Sequence, residues 1–266
     1  MLFNLNMMKR FACLLLIVPL LLSCVTQRVV TDAELIAHAG GVLDGYVYTN
    51  SREALEKAAA DGYKYIELDL IMTSDSVLVA AHSWETFNRI TGCADRGAEV
   101  LAYAEFISRR IHGRYTPLVA DSINSFFMRN PDLYLVVDKT SSPRVLGRCF
   151  PELKERMVVE AFSYADYSAL VDEGYYRVLY SCMAYDLDRT LVRHLLFNSL
   201  FKGRRIEWLA LHTSALKHPF FKFLDKTRRF NIALFTVDNY DEIPEEHRFR
   251  AGMIYTNTLL EGQGAE

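Results

Sequence analysis

The chain has 266 residues, 51% of them hydrophobic, with 30 basic and 33 acidic side chains and a net charge of −3. That is room for one large core, and mild acidity with only short, isolated basic stretches such as Lys202-Gly203-Arg204-Arg205 excludes a nucleic-acid partner. No pair among the five cysteines has metal-site spacing, which excludes a cysteine-ligated metal centre.

Residues 1–23 read as a secretory leader. Lys9-Arg10 precedes an apolar run from Phe11 to Leu22 that is too short to span a bilayer,. The run closes on Leu21-Leu22-Ser23-Cys24, which resembles the lipobox of bacterial lipoproteins. Lipidation is therefore expected at Cys24. The mature chain, 24–266, is expected in the cell envelope, anchored to the inner or outer membrane and facing periplasm or exterior. Cys93, Cys149 and Cys182 remain in it, enough for at most one disulfide,.

From there strand-like and helix-like runs alternate. Strands are expected over 35–39, 63–70, 77–82, 133–138, 157–162, 176–182, 207–212, 231–237 and 252–256. Helices are expected over 51–61, 121–130, 144–155, 165–174, 186–202, 214–228 and 241–249, several opening after Ser, Asp or Thr,. Such alternation specifies a parallel sheet, and about 240 residues suit one α/β domain, a (β/α)8 TIM barrel. Nine strands for eight positions mean that one is either no strand or peripheral. The stretch Ile71 to Val77 is too short for a crossover helix, so the barrel is irregular between its second and third strands. Residues 84–120 lack periodicity and are expected as an insertion on the catalytic face, a lid or substrate wall. Trp84 and Phe87 either line a pocket there or simply pack.

Several apolar runs stop on ionisable residues: Ile36-Ala37-His38, Tyr65-Ile66-Glu67-Leu68-Asp69 and Leu78-Val79-Ala80-Ala81-His82. Glu67 and Asp69 are two apart and share one strand face. Two carboxylates on one face repel unless a cation lies between them, so a divalent metal is the economical expectation. His38 and His82 are then candidates for base and acid beside it. Val136-Val137-Asp138-Lys139 adds an acid and a cation at another strand end. Adjacent strand residues face opposite ways, so both point inward only through a bulge or loop. Glu160 is a buried acid in need of a partner, for which Lys139 is a candidate. His212 ends Leu209-Ala210-Leu211 and is a candidate substrate contact.

These motifs resemble the glycerophosphodiester phosphodiesterase family, whose barrels are related to the phosphatidylinositol-specific phospholipases C. The family pattern His-Arg-Gly is His38-Ala39-Gly40 here, Glu-Asn-Thr is Thr49-Asn50-Ser51, and Glu-x-Asp is Glu67-Leu68-Asp69. The strand ending in His-Asp is His82-Ser83, Trp-Thr-Val-Asn is Phe235-Thr236-Val237-Asp238, and the closing Thr-Asp is Thr256-Asn257. The resemblance implies a phosphodiester hydrolase acting on glycerophosphodiesters or related phospholipid head groups through a His/His acid–base pair. It implies a divalent cation, Ca2+ or Mg2+, held by Glu67, Asp69 and Asp138. Substrate contacts are expected from Asn50, Lys139 and His212, with Asn50 or Lys139 replacing the arginine lost at Ala39.

The departures at Ala39, Thr49, Ser83 and Asn257 leave other readings open. One is a lyase that stops at a cyclic phosphate. The other is a degenerate lipoprotein that binds a head group or glycan.

Overall fold

The computed structural model describes residues 33–140, 142–182, 206–217, 230–243 and 251–260. Their strands are β1 (Glu34–Ala37), β2 (Tyr65–Met72), β3 (Leu78–Ala80), β4 (Tyr134–Asp138), β5 (Met157–Ala161), β6 (Arg177–Cys182), β7 (Trp208–His212), β8 (Asn231–Phe235) and β9 (Ala251–Thr256). Eight of these are parallel neighbours in the order β1-β9-β8-β7-β6-β5-β4-β2, and β1 also pairs with β2, so the sheet closes on itself. This is a (β/α)8 barrel.

The ninth strand lies outside it. β3 runs antiparallel to the far end of β2, with Leu70 opposite Ala80 and Met72 opposite Leu78. The short connection permits only a hairpin, as the sequence implies. β2 therefore overshoots the rim at its C-terminal end, and β3 brings the chain back down to it.

Helices cover the barrel where the sequence supplies caps and an apolar stripe. α1 (Arg52–Ala60) starts at Ser51, whose Oγ accepts the Ala54 N–H at 3.2 Å, and it buries Ala54, Leu55 and Ala58 on one face,. α2 (Trp84–Ile90) and α3 (Tyr103–Ser108) occupy the insertion. α4 (Ala120–Arg129), α5 (Pro143–Cys149) and α6 (Tyr164–Asp172) follow β3, β4 and β5. α5 is shorter than the expected 144–155, because Phe150 leaves the helical region at φ −134° and a separate single turn forms over Lys154–Arg156. The helix expected over 186–202 lies outside the described residues, as do 218–228 and 244–249 of the last two. Their described beginnings are 3-10 turns, Thr213–Lys217 and Tyr240–Glu242.

The period-2 alternation of the strands sorts their side chains into two shells. Ile36, Tyr65, Val136, Val158, Leu179, Ala210, Ala233 and Met253 fill the barrel interior. Ile66, Leu68, Leu135, Val137, Val159 and Leu209 face the helices. A third apolar cluster joins Phe87, Leu101, Phe106 and Ile111 in the insertion to Val79 and Ala81. Phe87 stacks on Phe106 and Trp84 sets its edge on both, so these two aromatics pack and do not line a pocket.

Cys93 and Cys149 are free thiols. Among the described residues no helix is long and apolar enough to cross a membrane.

Candidate active site

The inward parity of each strand continues past the packed interior to the C-terminal mouth, and there it changes from apolar to polar on every barrel strand except β8, which ends on Phe235. His38, Glu67, Asp138, Glu160, Ser181, His212, Phe235 and Tyr255 line a cavity of about 410 Å3, with Tyr48, His82, Lys139, Phe162 and Thr236 completing its wall. Both sequence-candidate histidines and the acids Glu67 and Asp138 thus meet in one place, with Asp69 beside them.

Glu67, Asp69 and Asp138 offer oxygens that all lie within 4.8 Å of one another. Each of the first two is held by one oxygen and leaves the other bare. Glu67 Oε2 accepts the Ala39 N–H at 2.6 Å, and Oε1 is buried with no hydrogen-bond donor. Asp69 Oδ2 accepts Asn50 Nδ2 at 2.8 Å, while Asn50 Oδ1 accepts the Asp69 N–H at 2.9 Å. Asp69 Oδ1 has only Lys139 Nζ at 3.5 Å, outside hydrogen-bonding geometry. Burial, then the charges of Asp69 and Asp138, push the Glu67 carboxyl well above its ordinary range. Burial, then Asp138, push Asp69 up to about 7. Orphaned carboxylate oxygens this deeply buried are what an oxygen-ligated cation satisfies, so the donor set fits a divalent metal.

Asp138 and Lys139 both reach the mouth because the chain turns between them. Lys139 adopts φ +67° directly after β4, which cancels the strand alternation,. Its Nζ lies 2.8 Å from Asp138 Oδ2. Burial alone would lower the ammonium, but the Asp138 and Asp69 carboxylates outweigh it and hold Lys139 well above its usual value, hence charged. Lys139 is not the partner of Glu160: Tyr255 Oη donates to Glu160 Oε1 at 2.5 Å. Burial, followed by Asp138, pushes Glu160 up to about 8.

His38 opens a single 3-10 turn after β1, and Gly40 at φ +83° sends the chain back across α1. Burial depresses the imidazole to about 4, outweighing the Asn257 contact that raises it. His82 is likewise lowered, by burial and then by Lys139. It stands at the rim because β3 returns to it, with the Ala81 N–H on the Asp69 carbonyl at 2.8 Å. The ring of Tyr48 lies edge-on between the two histidines, 4.7 Å from His38 and 5.0 Å from His82 by centroid.

One expectation is corrected here. Asn50 is completely buried and spends both ends of its amide on Asp69, so it sets a carboxylate and does not replace a phosphate-binding arginine. Ser83 stands where the resemblance has an acid beside the second histidine, but its Oγ accepts the Thr86 N–H at 3.1 Å as the cap of α2. His212 does line the cavity. Its Nδ1 accepts the Ser214 N–H at 3.2 Å, which leaves Nε2 the protonated atom of the neutral ring,.

Tyr48, Thr236 and Tyr255 carry no mark as site residues in the sequence reading. Tyr255 has the parity of an inward residue and was findable on that ground; Tyr48, at φ +58° in a loop, has no period to betray it.

Residues 43–156 match the model of the Glycerophosphoryl diester phosphodiesterase family. That stretch holds Tyr48, Glu67, Asp69, His82, Asp138 and Lys139, and His38 lies outside it, five residues before its start. The resemblance to this phosphodiesterase family is therefore borne out. Solved structures agree at the level of fold. A glycerophosphodiester phosphodiesterase from Parabacteroides distasonis is 19% identical with a TM-score of 0.60, the alignment covering 85% of this chain and 93% of that one. One from Thermotoga maritima is 14% identical with a TM-score of 0.61 over 85% and 94% of the two chains. A phosphodiesterase from Oleispira antarctica, solved with the product sn-glycerol-3-phosphate, is 16% identical with a TM-score of 0.62 over 84% and 92%. No curated protein matches the chain by sequence.

Proposed function

We propose that this chain is a metal-dependent phosphodiesterase that hydrolyses glycerophosphodiesters or related phospholipid head groups. The observation that carries the reading is the mouth itself: three clustered carboxylates with two bare buried oxygens, flanked by two histidines. Glu67, Asp69 and Asp138 would hold the cation, and an all-oxygen set favours Ca2+ or Mg2+ over softer ions. When bound, such an ion neutralises phosphodiester charge and stabilises the more negative transition state.

The chain's own groups supply the rest. His38 is neutral at physiological pH, because its imidazole is depressed to about 4, and so is competent to take a proton from the attacking hydroxyl. His82 gives a proton to the departing alcohol. Burial and Lys139 disfavour its charged form, and a phosphate anion in the cavity counters both by pairing with the imidazolium. Lys139, charged and partly accessible at the rim, faces the phosphate, and His212 offers an Nε2–H donor,. Phe162 and Phe235 give the cavity an apolar side against which the alcohol carbons rest,. Lipidation of Cys24 would tether the barrel to an envelope membrane, as the leader implies.

The test uses purified residues 25–266 with glycerophosphodiesters, with EDTA or with added Ca2+ or Mg2+, beside His38→Ala. Metal-dependent release of glycerol phosphate that disappears in His38→Ala upholds the reading, and a product that stays cyclic would reassign it to a lyase. A folded sample with no turnover, and no rise in melting temperature on adding either metal, would overturn it.

A further inference from the structure

The resemblance places an amide in the Trp-Thr-Val-Asn motif and an acid in the closing Thr-Asp motif. In this chain the two have changed places, as Asp238 and Asn257. Taken singly each looks like decay, but the structure joins them. Asn257 Nδ2 donates to Asp238 Oδ2 at 2.8 Å, and the Asn257 N–H donates to Asp238 Oδ1 at 2.7 Å. The Thr256 hydroxyl adds a third bond to Oδ1 at 3.1 Å.

Those bonds decide which way the Asn257 amide faces. A carboxylate only accepts, so the NH2 end must lie on Asp238. Turned over, the amide would set oxygen against oxygen. Its carbonyl end, Oδ1, therefore faces His38 Nδ1 at 3.3 Å. An amide oxygen also only accepts, so Nδ1 must donate. Thr236 Oγ1, 3.4 Å from the same nitrogen, serves either role and does not oppose this.

We propose that Asp238 is a positioning residue which, acting through Asn257, holds His38 in the tautomer protonated at Nδ1 and leaves Nε2 as its basic atom. The proposal rests on the reading of His38 as the base only for its effect on turnover; the tautomer itself is a property of the folded chain. A neutral amide orients the ring as a carboxylate would, without the adjacent negative charge that would favour imidazolium. Burial remains the largest influence on His38, opposed by the Asn257 bond and by the charges of Asp138 and Asp238.

The experiment is 15N–1H correlation spectroscopy of the histidine side chains, with His38 assigned by its loss in His38→Gln. It is run on the parent, on Asp238→Asn and on the exchanged pair Asp238→Asn/Asn257→Asp, together with kcat and KM. The parent is expected to show a protonated Nδ1 and a bare Nε2. In Asp238→Asn the amide at 257 is free to turn, so the two nitrogens move toward averaged shifts and kcat falls at least ~10-fold with KM little changed. The exchanged pair restores the Nδ1–H tautomer and recovers most of the lost kcat, because a carboxylate at 257 again only accepts. A parent protonated at Nε2 overturns the proposal even if the variants fail to fold. So does an Asp238→Asn protein with unchanged tautomer and unchanged kcat. A parent with the Nδ1–H tautomer but no phosphodiesterase activity upholds the positioning role and sinks only the catalytic reading of His38.

Discussion

Asn50 grips Asp69 at both ends, giving Nδ2–H to its carboxylate at 2.8 Å and taking its backbone N–H at 2.9 Å. A ligand held this way does not have to be ordered when a cation arrives, so the grip translates directly into affinity. Asn50→Gly keeps the left-handed backbone legal at φ +48° and removes only the side chain. Metal affinity is expected to fall ~10–100-fold, read by calorimetric titration with Ca2+ or Mg2+. An unchanged dissociation constant would mean that Asn50 serves the fold alone.

Tyr48 touches both histidines by its ring edge, and a pair of such contacts is worth about 1–2 kcal/mol. Tyr48→Phe keeps the ring and should hold kcat within about threefold, whereas Tyr48→Ala should lose roughly tenfold. If Phe is as damaging as Ala, the hydroxyl is the working part.

The acids at the mouth make the metal-free protein sensitive to pH in a defined direction. Asp69 is pushed up to about 7 and Glu160 to about 8, both first by burial, so folding favours their protonated forms. That contribution is complete below the ordinary carboxylate range and is lost as pH rises through 7 and 8. In EDTA the melting temperature should fall as pH rises from 5 to 8.5, and Asp69→Asn should flatten part of the fall. Saturating divalent cation should flatten it too, by favouring the ionised acids. A melting temperature that rises over this range in EDTA would contradict the buried-acid picture.

Gly40 is needed twice over. Its φ of +83° is left-handed, and a Cβ there would lie 2.9 Å from the Cβ of Ala54 in α1. Gly40→Ala is expected to cost about 2–4 kcal/mol, measured by denaturant unfolding. It should also weaken metal binding, since the neighbouring Ala39 N–H is what fixes Glu67. Full stability in this variant would show that the turn has room to relax.

The legible part of the site follows from one regularity. A barrel strand is apolar while it is inside and polar where it emerges, so His38, Glu67, Asp69 and Asp138 announce themselves as the residues at which apolar runs stop. His82 announces itself the same way, although its strand runs in the opposite sense. The roles of the loop residues are not legible, because a loop has no period. Asn50 reads as a substrate contact, yet its place behind Asp69 depends on a backbone bond from its own N–H to the Ala39 carbonyl at 3.2 Å. Lys139 reads as facing away from Asp138 until a positive φ, invisible in composition, turns it back. Trp84 and Phe87 read equally as lining or packing, and only the position of Phe106, about twenty residues on, decides for packing.

The excursion from Leu70 to Val119 leaves and rejoins the barrel at adjacent points. Leu70 pairs with Ala80, the Ala80 N–H donates to the Leu118 carbonyl at 3.0 Å, and Val79 bridges to Val119. Its two ends are tied to each other, and the apolar nucleus it carries is shared with Leu43 and with Ala54 of α1. His82 is its one residue in the wall of the cavity, while Tyr115 and Thr116 bond Asp44 and Glu53, on either side of Tyr48 and Asn50. Such a segment behaves as a partly interchangeable cassette: drift or engineering at the exposed positions of 84–110 can reshape what approaches the mouth, while 112–117 must keep the contacts that seat the segment carrying Tyr48 and Asn50.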